Sequence, residues 1–212
     1  MLVAVEGNIG SGKSTLLKYL ENIKLLQPHK LIYEQVDEWK NLKDSNGNNM
    51  FELFYKDPKK YSYLFQTYVL LSRIQYLINS IKENPDHIII CERSHLTDLM
   101  VFAKSLFESN ELNEMEYTVY KNWHKMVSEF FNIKLDRIIF VNADPEKCLE
   151  RIKKRNRNGE EGISLEYLDI LHKNHINWLK NMDNVLELNG NIDLDEDCYN
   201  SNINIIKQYL TK

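Results

Sequence analysis

Near the start of the chain, Gly7, Gly12, Lys13 and Ser14 satisfy the spacing G-x4-G-K-S within the run GNIGSGKST. That spacing is suited to holding a polyphosphate. Glycines let backbone N–H groups turn toward anionic oxygens, and a following helix N-terminus adds its own N–H groups and partial positive charge. Gly7, Asn8, Ile9, Gly10, Ser11, Gly12, Lys13, Ser14 and Thr15 would surround the phosphates, with Lys13 as a point charge on the β- and γ-phosphates. Ser14 would offer a hydroxyl ligand to Mg²⁺. The motif implies a nucleoside triphosphate without saying which one, or what receives a phosphoryl group.

Acids placed for an acceptor lie further on. Glu34 falls at the end of an apolar run in LIYEQVDEW, and Glu92-Arg93 follow another in IIICERS. An acid beside an arginine can be a structural ion pair. At the strand ends that also carry the phosphate loop, the same groups have chemistry available. A carboxylate can take the proton of an attacking hydroxyl, a second can hold Mg²⁺, and a guanidinium can steady both base and transferring phosphoryl group.

Two further patterns combine charge with apolar surroundings. In YSYLFQTYVLLSRIQYLINSI, Gln66, Val69 and Arg73 share one helical face at i, i+3 and i+7. Asp98 and Phe102 sit four apart in the next helix. One reading is an internal Arg73–Asp98 salt bridge in ordinary core. The other is a pocket in which Gln66 and Asp98 meet the edge of a base while Phe65 or Phe102 stacks on its ring. Later, RIKKRNRNGEEG places Arg151 and Arg155 one helical turn apart, with Arg157 beyond and Gly159 and Gly162 after it. A cationic run is often a solvated face. Here it follows a strand-and-loop of the VNADP type, where a lid over a phosphate site would begin, and its glycines suit a hinge.

The elements that must position these residues are legible as period-2 and period-3.6 runs. Strands are expected at Leu2–Glu6, Leu31–Val36, His87–Cys91, Arg137–Asn142 and Val185–Asn189. Helices are expected at about 13–26, 60–83, 95–108, 114–131, 145–156, 164–181 and 196–210, and KDSNGNNM (43–50) reads as a polar loop. Strands alternating with helices predict a parallel α/β fold. The apolar centres of HIIICERS and DRIIFVNADP suit a sheet covered on both faces. With 212 residues, 43% of them hydrophobic, and no linker or repeat, one domain spanning 1–212 is expected, its lid at about 151–163.

Net charge is −4, which argues against a nucleic-acid polymer as partner. Cys91, Cys148 and Cys198 show no CxxC spacing and read as free thiols in a reducing compartment. No apolar run approaches the ~20 residues needed to span a bilayer. A cytoplasmic protein without a membrane partner is the expectation.

Taken in order, GNIGSGKST, YKDPKKYSYLFQTYVLLSRI, CERS, RIKKRNR and GISLEYLDILHKNHINWL resemble the deoxynucleoside kinases, on the branch of deoxycytidine, deoxyguanosine and multisubstrate kinases. The resemblance covers nearly the whole chain. It implies a P-loop kinase fold with a five-stranded parallel sheet flanked by helices and an Arg-rich lid. It also implies an ATP-type donor with Mg²⁺, transfer to the 5′-hydroxyl of a deoxynucleoside, and a homodimer. By the same resemblance Glu34 is the base, Arg93 its partner and Glu92 the acid associated with Mg²⁺. Trp39, Phe65 and Phe102 are pocket aromatics beside Val69, and Gln66 bonds the base. Tyr55 and Glu160 hold the sugar 3′-hydroxyl. Arg151, Arg155 and Arg157 are the lid arginines, and Asp193 falls where the donor base is clasped.

In thymidine-preferring relatives the positions of Arg73 and Asp98 tend to be apolar and small. Charges at both predict deoxycytidine or a purine deoxynucleoside over thymidine. A thymidylate-kinase-like enzyme would share the phosphate loop and lid, but would carry an Asp-Arg pair where this chain has Glu92-Arg93-Ser94. A non-enzymatic kinase-fold subunit can lose the residues retained here at Lys13, Ser14, Glu34 and Arg93. The N-K-x-D motif of a GTPase is absent.

Overall fold

A computed structural model describes residues 1–22, 28–157, 159–192 and 196–211, with the side chains of 196–200 excepted. Asp193 and the side chain of Cys198 therefore lie outside the described residues. Five parallel strands form one sheet: β1 (Leu2–Glu6), β2 (His29–Ile32), β3 (Ile88–Glu92), β4 (Arg137–Asn142) and β5 (Val185–Asn189), in the order β2-β3-β1-β4-β5. β1 and β3 are buried along their whole length because both pleat faces are covered. On one face Val3 and Val5 meet α1 (Lys13–Glu21) and α10 (Glu196–Thr211) through Leu16, Leu17, Leu20, Ile206 and Leu210. On the other, Leu2 and Ala4 pack with Leu77 of α4 (Pro58–Glu83), and Ile138 and Phe140 with Leu171 and Trp178 of α9 (Leu165–Leu179).

β1, β4 and β5 occupy the expected spans. β2 does not: it covers His29–Ile32 and stops before Glu34. It is an edge strand whose partner β3 ends at Glu92, so beyond the Ile32↔Cys91 pair only Glu92 lies opposite Tyr33 and nothing of β3 lies opposite Glu34. The chain turns instead into α2 (Val36–Asn41), a helix not expected from the sequence, which begins at the residue where the strand was expected to end and buries Trp39. The polar loop is present as a tight turn in which Asp44 Oδ1 accepts the N–H groups of Asn46 and Asn48 at 2.9 Å. It gives way to α3 (Met50–Lys56), a helix the composition of the region concealed. Its start is fixed by Asn49 Oδ1, which accepts Glu52 N–H at 2.8 Å as an N-cap.

The helix expected over 95–108 is broken into α5 (His95–Thr97), a π-helical segment (Asp98–Ala103) and α6 (Lys104–Glu108). α7 (Glu114–Phe130) and α8 (Pro145–Arg155) match expectation to within a residue or so, α8 ending at Asn156 in the left-handed conformation, φ 46°.

Candidate active site

A cavity of about 680 Å³ opens at the carboxyl ends of β1, β2 and β3, where open parallel sheets place ligands. One half is the phosphate loop. Gly12, at φ 104°, is the N-cap of α1, and no side chain caps the helix. Its first-turn N–H groups are therefore left without intrahelical acceptors. Gly10 (φ 79°) lies against α8, and a Cβ there would meet Cys148 O at 2.6 Å. Asn8 staples the loop from within: its Nδ2 donates to Leu168 O at 2.8 Å, and its Oδ1 accepts Ile9 N–H at 2.9 Å. Lys13 is buried, with Nζ donating to Asn8 O at 2.7 Å. Burial, and then Arg93, bring its pKa down to about 8. Ser14 Oγ donates to Glu92 Oε1 at 2.7 Å, so the two oxygens read as Mg²⁺ ligands converge beside the loop.

At the seam of the cavity stands Glu34. Its Oε1 receives Arg73 Nη2 at 3.0 Å and pairs with Arg93 Nε at 3.2 Å. Burial alone would raise the Glu34 pKa. Arg93 first, then Arg73 and Lys13, reverse that and hold it at about 2. Arg73 also donates through Nε to Asp98 Oδ2 at 2.9 Å and through Nη1 to Glu92 O at 3.1 Å. Asp98 behaves oppositely to Glu34. It is 1% exposed and shares its one guanidinium with Glu34, so desolvation wins and its pKa rises to about 6. The Arg73–Asp98 salt bridge of the plainer reading thus exists, and it forms part of the cavity wall.

The other half is aromatic and polar. Phe65 stacks on Phe54 (centroids 4.6 Å apart, 21° between planes) and meets Trp39 edge-on at 5.9 Å. Gln66 and Val69 of α4 line the wall beside Arg73. Gln66 Oε1 and Asp98 Oδ1 are buried without a hydrogen-bond partner. The π-helical segment starts at Asp98; widened helical turns of this kind are frequent at functional sites. Phe102 lines the cavity too, with the guanidinium of Arg93 4.9 Å over its ring. Tyr55 is half-buried near Glu160; desolvation first, then Tyr167 and Glu160, raise its pKa.

The arginine run reaches the cavity. Arg155 grips Glu160 through Nε–Oε2 at 2.8 Å and Nη2–Oε1 at 2.7 Å, with Arg157 Nη1 3.5 Å from the same carboxylate. Arg151 donates to Ser11 O, Gly190 O and Ile192 O at 3.3, 2.6 and 3.1 Å, joining the phosphate loop to the loop after β5. Among the predicted residues that are described, all of the acids, arginines and pocket side chains border one cavity. Sequence reading missed Phe51, Phe54 and Tyr167, which also line it. The signal for the first two was the spacing of Phe51, Phe54 and Tyr55 at i, i+3 and i+4, masked by the polar stretch before them.

A parallel sheet of this order, with a G-x4-G-K-S loop after its central strand and a carboxylate between two guanidiniums across the cavity, defines a P-loop phosphotransferase. Comparison with known proteins narrows the class. The family model described as deoxynucleoside kinase matches residues 3–211. The mitochondrial deoxyguanosine kinase of Xenopus laevis is 37% identical over 218 residues, covering 91% of this chain and 82% of that one. Human deoxycytidine kinase is 35% identical over 238 residues, 99% of this chain and 90% of its own. Deoxycytidine kinase 2 of Gallus gallus is 38% identical over 195 residues, 84% and 73% of the respective chains. The chain belongs to the deoxynucleoside kinase family: it is an ATP-dependent kinase that phosphorylates deoxynucleosides for salvage.

Proposed function

We propose that the phosphate-loop half of the cavity holds ATP and the aromatic half holds deoxycytidine or a purine deoxynucleoside, with Glu34 taking the proton of the 5′-hydroxyl. The observation that carries this reading is Glu34 itself, a carboxylate held between Arg73 and Arg93 at the seam of the two halves. Kept ionised by both cations, it accepts a hydrogen bond from the hydroxyl and orients its lone pair for in-line attack on the γ-phosphorus. The proton passes to Glu34 as the new P–O bond forms and the bond to the β-phosphate breaks. Lys13, Arg93 and the arginines of residues 151–163, acting as a lid, offset the charge on the transferring group, and the lid excludes water.

Ser14 and Glu92 would hold Mg²⁺, two hard oxygen ligands already within hydrogen-bond distance of each other. When bound, that ion would neutralise phosphate charge. Tyr55 and Glu160 would take the sugar 3′-hydroxyl, Arg151, Arg155 and Arg157 the donor, and Asp193 would lie at the donor base.

Base preference follows from acceptor geometry. An ionised Asp98 only accepts hydrogen bonds, so its unpartnered Oδ1 suits a base bearing an exocyclic amino group. A thymine carbonyl there would oppose two acceptors. The relatives, named deoxycytidine and deoxyguanosine kinases, agree with that preference. Assembly as a homodimer is supported by exposed Leu64 and Leu71 on α4 and by Met126 and Phe130 on α7, which packs against it. Phe130→Glu should yield a monomer by light scattering. Unpaired, buried Cys91 and Cys148 suit the cytoplasm. Among the described residues no helix is long and apolar enough to cross a membrane.

The test is Glu34→Gln, which keeps the shape and removes the base. kcat should fall ~10²-fold or more with little change in nucleoside KM. Near-normal turnover would contradict the assignment.

A further inference from the structure

Glu6, the last residue of β1, is fully buried. It does not line the cavity, and among the described residues it has no cationic partner. Its carboxylate is occupied otherwise. Oε1 accepts the N–H and the hydroxyl of Ser94 at 2.8 and 2.7 Å, and Oε2 accepts the hydroxyl of Thr97. Two of the donors belong to Ser94, the N-cap that leads from β3 into α5, and the third to Thr97 at the end of α5.

Arg93 immediately precedes Ser94. Its φ is 64°, a left-handed conformation that a residue with a Cβ adopts only when its surroundings impose it. Both sides of the bend are tied to the end of β1. Arg93 N–H donates to Val5 O at 3.0 Å, and Ser94 N–H donates to Glu6. The bend is what sends the guanidinium to Glu34, at 3.2 Å, and to Gly7 O, at 2.7 Å. A carboxylate fits the position because it only accepts, and three donors converge on it. A glutamine could keep the acceptor for both Ser94 donors, but its NH₂ would replace the oxygen that accepts from Thr97, whose hydroxyl would have to turn and accept instead. An aliphatic residue would leave the donors buried and unpaired.

We propose that Glu6 is a positioning residue for phosphoryl transfer: by clamping the Ser94–Thr97 turn it holds Arg93 in the left-handed bend that aims its guanidinium at Glu34 and the phosphate loop. The proposal rests on the reading of Glu34 and Arg93 as base and partner. A carboxylate that merely supported the fold would set melting temperature and not the chemistry performed through Arg93.

A double-mutant cycle separates these. kcat and both KM values are measured for the full chain carrying Glu6→Gln, Arg93→Lys, or both, each KM by varying one substrate with the other saturating. Arg93→Lys should lower kcat ~10²-fold, and Glu6→Gln ~10-fold with KM for ATP nearly unchanged. The double variant should be no slower than Arg93→Lys alone, because Glu6 acts through Arg93. Thr97→Val keeps Glu6 and removes one donor. It should lower kcat ~3-fold, an effect that likewise vanishes in the Arg93→Lys background. It carries the test if Glu6→Gln does not fold. Losses that multiply in the double variants, or unchanged kcat with only a lowered melting temperature, would overturn the role of Glu6. Near-normal kcat in Arg93→Lys would instead overturn the underlying reading of Arg93, and the clamp with it.

Discussion

The phosphate-loop half of the cavity is one continuous run, Gly7–Thr15, whose contacts come mostly from backbone and from a helix end. The acceptor half is assembled from Trp39 on α2, Tyr55 on α3, Gln66 and Arg73 on α4 and Asp98 in the π-helical segment. The first is proposed to bind what every nucleoside triphosphate shares. The second, on the proposed reading, would discriminate through buried side chains whose charges depend on one another. Two carboxylates on the same guanidinium take opposite directions: Glu34 is held at about 2 by Arg93, Arg73 and Lys13, while desolvation, opposed by Arg73 and aided by the charge of Glu34, raises Asp98 to about 6. That reading would place generality in backbone geometry and selectivity in an arrangement of mutually dependent charges.

The largest expected effect lies in the donor half. Lys13→Met removes the charge on the phosphates and should lower kcat/KM for ATP ~10³-fold while nucleoside affinity, read by calorimetry, is retained. Loss of both affinities would mean that the halves are not separable. Next, Arg73→Met with Asp98→Ala removes the charges that oppose thymine. The ratio of thymidine to deoxycytidine kcat/KM should rise ~10²-fold, although absolute kcat falls because Arg73 also supports Glu34. An unchanged ratio would place selectivity elsewhere.

The smallest effects are pH limbs, which differ between the halves because kcat/KM reports the free enzyme. Lys13 is charged below its lowered pKa, so kcat/KM for ATP should fall as pH rises through about 8. Asp98 is ionised above its raised one, so kcat/KM for the nucleoside should fall as pH drops through about 6. Glu34 stays ionised throughout this range. A nucleoside limb near 4 would show that Asp98 titrates like an exposed carboxylate.

The contrast also explains what the sequence discloses. A loop made of consecutive residues is legible from spacing, as Gly7, Gly12, Lys13 and Ser14 were. Buried parallel strands announce themselves as apolar runs. The polar face of α4 was visible at i, i+3 and i+7, but periodicity alone left two readings of Arg73 and Asp98. Only the fold, which carries Glu34 to the same guanidinium, shows that salt bridge and pocket wall coincide. β2 was misplaced and α2 went unseen because the end of an edge strand depends on how little of its partner remains beyond it, a tertiary fact. The π-helical turn at Asp98 adds no local signature to the sequence, and α3 hid its aromatic face behind the Asn-rich turn.

The central claim is that the acceptor half selects a base with an exocyclic amino group. Its most direct test is the kcat/KM of the four deoxynucleosides, each with saturating ATP. Deoxycytidine or a purine deoxynucleoside should exceed thymidine by ~10-fold or more. Thymidine phosphorylated as well as or better than the other three would contradict the account.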